Sequence, residues 1–224
     1  LVQHPPVLPA VVLELLGDEL AADTVFLEVH GPVRALVTAE RCALNFLQTL
    51  MATATVARRY AQAVAGTRTR ILDTRKTLPG LRLAQKYAVR TGGASNHRIG
   101  LFDAVLIKEN HVAAAGSIAA AIRNARAIAG NRMVEVEVES LAELREALAA
   151  APDRIMLDEF SRADLEAAVA LAGGRVPLEV SGSMDFDRLA DVARLGVDFI
   201  SVGALTKHVR AIDLSMRLGP ADPA

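Results

Sequence analysis

The stretch Arg70-Ile71-Leu72-Asp73-Thr74-Arg75-Lys76, followed by Thr77-Leu78-Pro79-Gly80, decides how the rest of the chain is read. A short apolar run ends in charge, and a proline–glycine turn follows at once. Adjacent cations at the end of a strand are poor packing material, because buried charge needs a partner. They are good material for holding an anion. The same pattern recurs downstream, with apolar strand candidates at 70–74, 104–107, 134–138, 155–157, 177–180 and 199–202. Ala/Leu-rich helical patterns fill several gaps, clearest at 118–129, 141–150, 162–172 and 186–195. Strand and helix in alternation predict βα units on a parallel sheet, either a barrel or an open doubly wound sheet. No Gly-x-Gly-x-x-Gly or P-loop follows a strand, so dinucleotide and nucleoside-triphosphate readings lose their main support.

In such barrels chemistry gathers where strands end. Those ends carry Asp73, Arg75 and Lys76, then Lys108 and Glu109, then Glu135, Glu137 and Glu139. Asp158, Glu179 with Ser181-Gly182, and Ser201 with Gly203 follow, so cations come early and carboxylates late. Glu135, Glu137 and Glu139 alternate with Val134, Val136 and Val138, which places the three carboxylates on one strand face. If the valines meet helices, the glutamates point inward, where like charges need a metal or cations to answer them. Glu137 with Asp158 suggests Mg²⁺, a cation held by one or two carboxylates together with substrate phosphates.

The glycine-rich loop 90–98 adds His97 and Arg98. With Arg41, Arg75, Lys76 and Lys108 these make six cationic or potentially cationic groups, suited to a small substrate bearing more than one carboxylate. Ser181-Gly182-Ser183 precedes a helix expected to open near Asp185, and the loop from Gly203 to Lys207 follows the last strand. Backbone N–H groups at helix starts, late in a barrel, are the usual place for a phosphate, which points to a phosphosugar.

Upstream, Pro5, Pro6 and Pro9 punctuate the chain before a short helix expected over 10–16. Val25–Val29 and Val33–Val37 read as two β runs about Gly31-Pro32, the remnant of a small separate sheet. A helix is expected from Ala39 to Ala65, with Thr38 as N-cap and Gly66 as stop. That start puts Arg41 in the first turn, where the helix dipole disfavours a cation unless an anion sits there too.

The bulk properties narrow the class. The 224 residues are 52% hydrophobic and 4% aromatic, with no Trp, as expected of a globular enzyme of one large domain or one plus a small one. A net charge of −1 argues against a broad nucleic-acid footprint. The single cysteine, Cys42, excludes an internal disulfide framework and fits a reducing compartment. No run of about 18 apolar residues is present, so a soluble, cytoplasmic protein without membrane partners is expected.

Several longer motifs occur in a distinctive order: Thr74-Arg75-Lys76-Thr77-Leu78-Pro79-Gly80-Leu81-Arg82, then Gly92-Gly93 with Asn96-His97-Arg98. Leu106-Ile107-Lys108-Glu109-Asn110-His111, the Glu-Val-Glu-Val-Glu run and Ser201-Val202-Gly203-Ala204-Leu205-Thr206 complete the series. Over roughly 21–217 the chain resembles quinolinate phosphoribosyltransferase (nicotinate-nucleotide pyrophosphorylase, carboxylating). The resemblance implies an α/β barrel with an incomplete helix ring over 40–207, joined to an N-terminal α/β sandwich domain of which 1–39, possibly with 208–224, is a truncated remnant. It implies Mg²⁺-dependent conversion of quinolinate and phosphoribosyl pyrophosphate to nicotinate mononucleotide, pyrophosphate and CO₂ in NAD synthesis, by a homodimer or higher homo-oligomer. Carried over position by position, Arg41, Arg75, His97, Arg98 and Lys108 would hold the quinolinate carboxylates, with Lys76 beside the reacting groups. Glu137 and Asp158 would serve Mg²⁺ and the ribose, and Ser181, Gly182, Gly203 and Lys207 the 5′-phosphate.

The sequence departs from the family at several points. Its N-terminal part is short, so a segment is expected to be missing near Leu20-Ala21 or the chain to be trimmed. Met51-Ala52-Thr53 replaces a Ser-Gly pair, Glu159 stands where Asn is common, and Ser183 where Gly is usual. A paralogue with another acceptor, a Schiff-base aldolase or lyase using Lys108 or Lys207, and a non-catalytic phosphosugar-binding barrel are the competing readings.

Overall fold

β1 (Arg70–Leu72) is the first of six parallel strands in one sheet of order β1-β6-β5-β4-β3-β2. The computed structural model describes residues 17–184 and 186–219. The helix expected over 10–16, and Asp185, near which a later helix is expected to open, therefore lie outside the described residues. The remaining strands are β2 (Ala104–Ile107), β3 (Met133–Val138), β4 (Arg154–Asp158), β5 (Leu178–Ser181) and β6 (Phe199–Ser201). Each of the six strands expected between 70 and 202 is present within two residues of its expected ends.

Helices α4 (Ile118–Ala129), α5 (Leu141–Ala150) and α6 (Arg162–Ala172) follow β2, β3 and β4, each opened by a serine cap. Ser117, Ser140 and Ser161 accept the N–H three residues on, satisfying one of the donors that a helix start leaves free. Three further helices have weaker sequence signals: α2 (Arg82–Thr91), α3 (Glu109–Ala115) and the single turn α8 (Ala204–Lys207). Between β5 and β6 a 3-10 turn, Phe186–Arg188, leads into α7 (Leu189–Arg194).

The strand register sorts the faces. Glu135 lies opposite Arg154, Glu137 opposite Met156, Met156 opposite Glu179, and Asp158 opposite Ser181. Paired residues share a face, so all of these point into the barrel. Val134, Val136, Val138, Ile155, Leu157 and Val180 take the other face and are buried in the apolar layer under the helices. The valine–glutamate alternation of β3 therefore has its valines outward and its glutamates inward.

β1 and β2 do not pair. Ser95 bridges to Leu72 on the free edge of β1, with Ser95 N–H donating to Ile71 O at 2.8 Å and Asp73 N–H donating to Ser95 O at 3.0 Å. The Arg98 guanidinium then reaches the Ala104 carbonyl on β2 at 3.3 Å. The segment 95–98 thus occupies the seam of the barrel.

The N-terminal expectations need correction. α1 runs from Val33 to Ala63, so Val33–Val37 is helix, and Val25–Val29 has no regular structure. Pro32, with φ of −59°, precedes the first helical residue, and its carbonyl accepts from Ala35 and Leu36. Valine's preference for strands is weak and yields when a long amphipathic helix absorbs it. Thr38 is consequently mid-helix, donating to Arg34 O at 2.7 Å, and caps nothing. Arg41 lies in the third turn, so the dipole argument for an anion beside it lapses. α1 also crosses the expected domain boundary at 39/40 without a break, and Ile212 N–H returns to the Gln48 carbonyl at 3.1 Å.

Candidate active site

The site is built from the floor upward. Asp73, fully buried just past β1, accepts from Lys86 Nζ at 2.6 Å, Asn96 Nδ2 at 2.6 Å and His97 N–H at 2.8 Å. Lys86, on α2 and only 3% exposed, also donates to the His97 carbonyl at 2.9 Å. Asp73 therefore faces away from solvent and fixes the seam segment. Burial pushes its carboxyl above the usual range, against the pull of Lys86 and the other donors.

His97 sits just inside. Its Nδ1 accepts Arg98 N–H at 2.7 Å, which leaves Nε2 to carry the ring proton. Nε2 lies 3.0 Å from a Glu135 oxygen and 3.5 Å from a Glu179 oxygen. Arg154 closes this group, 2.8 Å from Glu179 and stacked on the Phe199 ring. Burial lowers the His97 pKa and raises that of Glu135; Glu179, buried and beside Glu135, is pushed up to about 7. His97, Glu135 and Glu179 have the makings of a metal cluster. Arg154 already supplies their countercharge, so we read them as an ion-pair network.

The mouth above is different. The loop after β1 is pinned at its ends: Arg82 donates to the Arg75 carbonyl at 3.1 Å, and Thr206 Oγ1 donates to the Lys76 carbonyl at 2.9 Å. Gln85 takes Leu78 N–H at 2.8 Å and donates to Thr206 O at 2.9 Å. The loop is thereby tied to the last βα connection, with the Arg75 and Lys76 side chains left exposed. Arg98 lies near enough to Arg75 that burial first, and then the neighbouring guanidinium, pull its pKa down.

Lys108, just past β2, is ion-paired with Glu137 of β3. The ligand oxygens of Glu137, Glu139 and Asp158 lie within 4.8 Å of one another. Hard carboxylate oxygens so grouped fit Mg²⁺ chemically. At Gly203 an added Cβ would come 3.2 Å from Lys76 Cδ and 3.7 Å from Lys207 Cε, so both lysines converge on that turn.

The structure therefore brings Arg75 close to Arg98, Lys108 to Glu137, Glu137 to Asp158, and Lys76 and Lys207 to Gly203, with Ser181 in register with Asp158. It turns His97 inward to the glutamates. Arg41 is exposed on α1 and makes no ion pair or side-chain hydrogen bond with another described residue. Sequence reasoning missed Lys86, Gln85, Arg82 and Arg154 as supports and Glu139 as the third member of the carboxylate group with Glu137 and Asp158. The signal for two of them was present: Gln85 and Lys86 fall on the stripe of α2 that also holds Ala88 and Val89, where polar residues are out of place unless paired.

A family model for quinolinate phosphoribosyl transferase, C-terminal domain, matches residues 53–217. The chain belongs to the quinolinate phosphoribosyl transferase family. Among its relatives, the nicotinate-nucleotide pyrophosphorylase [carboxylating] of Mycobacterium leprae is 46% identical over 205 residues, covering 90% of this chain and 72% of the relative. NadC of Streptococcus pyogenes superposes with a TM-score of 0.86 at 48% identity, covering 90% of this chain and 71% of that one. The nicotinate-nucleotide pyrophosphorylase of Francisella tularensis gives a TM-score of 0.80 at 57% identity, covering 82% of this chain and 65% of that one. The fold of this family member is thus the α/β barrel that the resemblance implied, one of the two parallel-sheet architectures left open by the strand–helix alternation.

Proposed function

We propose that the barrel mouth carries out the decarboxylating phosphoribosyl transfer for which the relatives are named. Quinolinate and phosphoribosyl pyrophosphate give nicotinate mononucleotide, pyrophosphate and CO₂, a step of NAD biosynthesis. The observation that carries this reading is the pairing of Lys108 with Glu137 beside Asp158 and Glu139 at the strand ends, with a second cationic pair, Arg75 and Arg98, at the β1–β2 seam.

Arg75 and Arg98 clamp the two quinolinate carboxylates, with Lys108 exchanging between Glu137 and the substrate. Arg41 is retained as a quinolinate contact, and His97 supports the clamp from beneath by fixing Arg98 N–H. The clamp aims the pyridine nitrogen at the anomeric carbon. Glu137 and Asp158 stabilise the positive character that the ribose gains as its C–O bond breaks, and Lys76 meets the departing negative charge. Mg²⁺, held by Glu137 and Asp158 with Glu139, would add positive charge for the leaving pyrophosphate. The alkylated ring nitrogen is cationic, so it stabilises the electron pair left on the neighbouring ring carbon when its carboxylate leaves as CO₂, and a proton from water then completes the C–H bond there. Ser181, Gly182, Gly203 and Lys207 hold the 5′-phosphate.

The Schiff-base reading fares worse. Lys108 is already ion-paired with Glu137, not set in the apolar pocket or beside the second cation that activates a Schiff-base lysine. Residues 1–39, with 208–224, belong in this reading to the family's smaller domain. A homodimer is part of it, supported by exposed Val33, Val37 and Phe46 on α1. No helix among the described residues is long and apolar enough to cross a membrane, and a reducing cytoplasm suits the exposed thiol of Cys42. The test is direct: incubation with both substrates and Mg²⁺ releases pyrophosphate and CO₂ in equal amounts. Turnover of nicotinate as well as quinolinate would remove the two-carboxylate clamp.

A further inference from the structure

The loop after β5 already holds an anion, and it is a side chain of this protein. Glu159, the residue after β4, has φ of +53°, in the left-handed region that a glutamate rarely adopts. That turn lays its carboxylate over the neighbouring loop. Oε1 accepts from Ser183 N–H at 2.8 Å and from the Ser183 hydroxyl at 3.1 Å. The backbones are joined as well, Glu159 N–H donating to Ser181 O at 3.2 Å.

Gly182 lies under the carboxylate with φ of +120°. A Cβ there would meet the Glu159 carboxyl carbon at 2.7 Å, so the close approach depends on glycine. A backbone N–H, a hydroxyl and a bare glycine converging on one carboxylate make a small anion nest. Glu159 is exposed, so these bonds and not packing keep it there.

We propose that Glu159 sets the affinity of the phosphosugar subsite: its carboxylate occupies the Gly182-Ser183 nest, and a phosphate binds there by displacing it. The inference rests on the reading of this loop as part of the phosphate subsite. The two groups cannot share the nest, because a phosphate beside a carboxylate is repelled by its like charge. Exchange is feasible, since hydrogen bonds to an exposed carboxylate are screened by water. The incoming phosphate takes over the same donors. It also comes near the loop after β6, the strand paired with β5, where Lys76 and Lys207 converge on Gly203. A singly charged anion has less to gain from those lysines, so the resident carboxylate favours a dianion over weaker competitors.

Calorimetric titration with ribose 5-phosphate, which carries the phosphate without pyrophosphate, tests this on wild type, E159Q and K207A. Glutamine keeps an oxygen for Ser183 N–H and removes the charge. E159Q is expected to bind ribose 5-phosphate about three- to tenfold more tightly than wild type, with quinolinate affinity unchanged. Equal or weaker binding by E159Q overturns the inference, leaving Glu159 as a brace for the loop. K207A tells the two failures apart. If K207A weakens binding while E159Q does not tighten it, the phosphate reading survives alone; if neither variant moves, both fall.

Discussion

The barrel carries charge at two depths, and the two populations are built differently. On the floor, Asp73 and Lys86 are 0% and 3% exposed, and Glu179 faces an Arg154 that is 14% exposed. These charges answer one another inside the protein, because a buried charge without a partner costs several kcal/mol. At the mouth, Arg75, Lys76, Glu139 and Lys207 are exposed, and Lys108 is 44% exposed although paired. Charges left to water are charges that a ligand can recruit. Residue type does not separate the populations, since lysine, arginine and glutamate occur in both. Depth does.

That contrast is sharpest at Lys86. K86M leaves Asp73 buried without its cation and is expected to cost about 3–5 kcal/mol in chemical denaturation. A loss near zero would move Lys86 out of the structural group. At the mouth the sign of the contrast reverses. K76A and E137Q should each lower turnover by at least about 10²–10³-fold, the usual scale for removing one electrostatic contact to a transition state. Their stability should stay within about 1 kcal/mol of wild type, and normal rates in either would withdraw the assigned role. R98K keeps charge but loses the planar fork, so the quinolinate KM should rise by about tenfold with kcat changing less.

Much of this was legible before any coordinates, for physical reasons. The period-two alternation of β3 fixed which face held the glutamates, and the strand ends named most of the mouth. The Ala/Leu-rich helical patterns made α4, α5 and α6 readable to the residue, and the structure shows the serine that caps each one. What stayed hidden depended on long-range pairing. Lys86 shows in sequence only as a polar residue on the apolar stripe of α2; its partner Asp73, thirteen residues away, is found only in the fold. The inward turn of His97 follows from the seam between β1 and β2, which no local pattern announces. Val33–Val37 misled because local β preference competed with a helix whose extent is set by contacts further along.

The smallest effect discriminates most finely, because it titrates the floor itself. Glu179 has a folded pKa of about 7 against 4.5 unfolded, so the folded state holds a proton through that window that the unfolded chain gives up. Its contribution to stability is fully present below about pH 4.5 and is lost as pH rises through 7. Glu135, raised by burial, acts in the same direction. His97 acts in the other: lowered by burial, it gains stability as pH rises toward 6.5. These opposed contributions leave a net change on the order of 1 kcal/mol across the window. E179Q removes the dominant carboxyl, so its thermal midpoint relative to wild type should be higher at pH 8 than at pH 5. A difference independent of pH would mean that Glu179 is ionised throughout, and that Arg154 alone governs the floor.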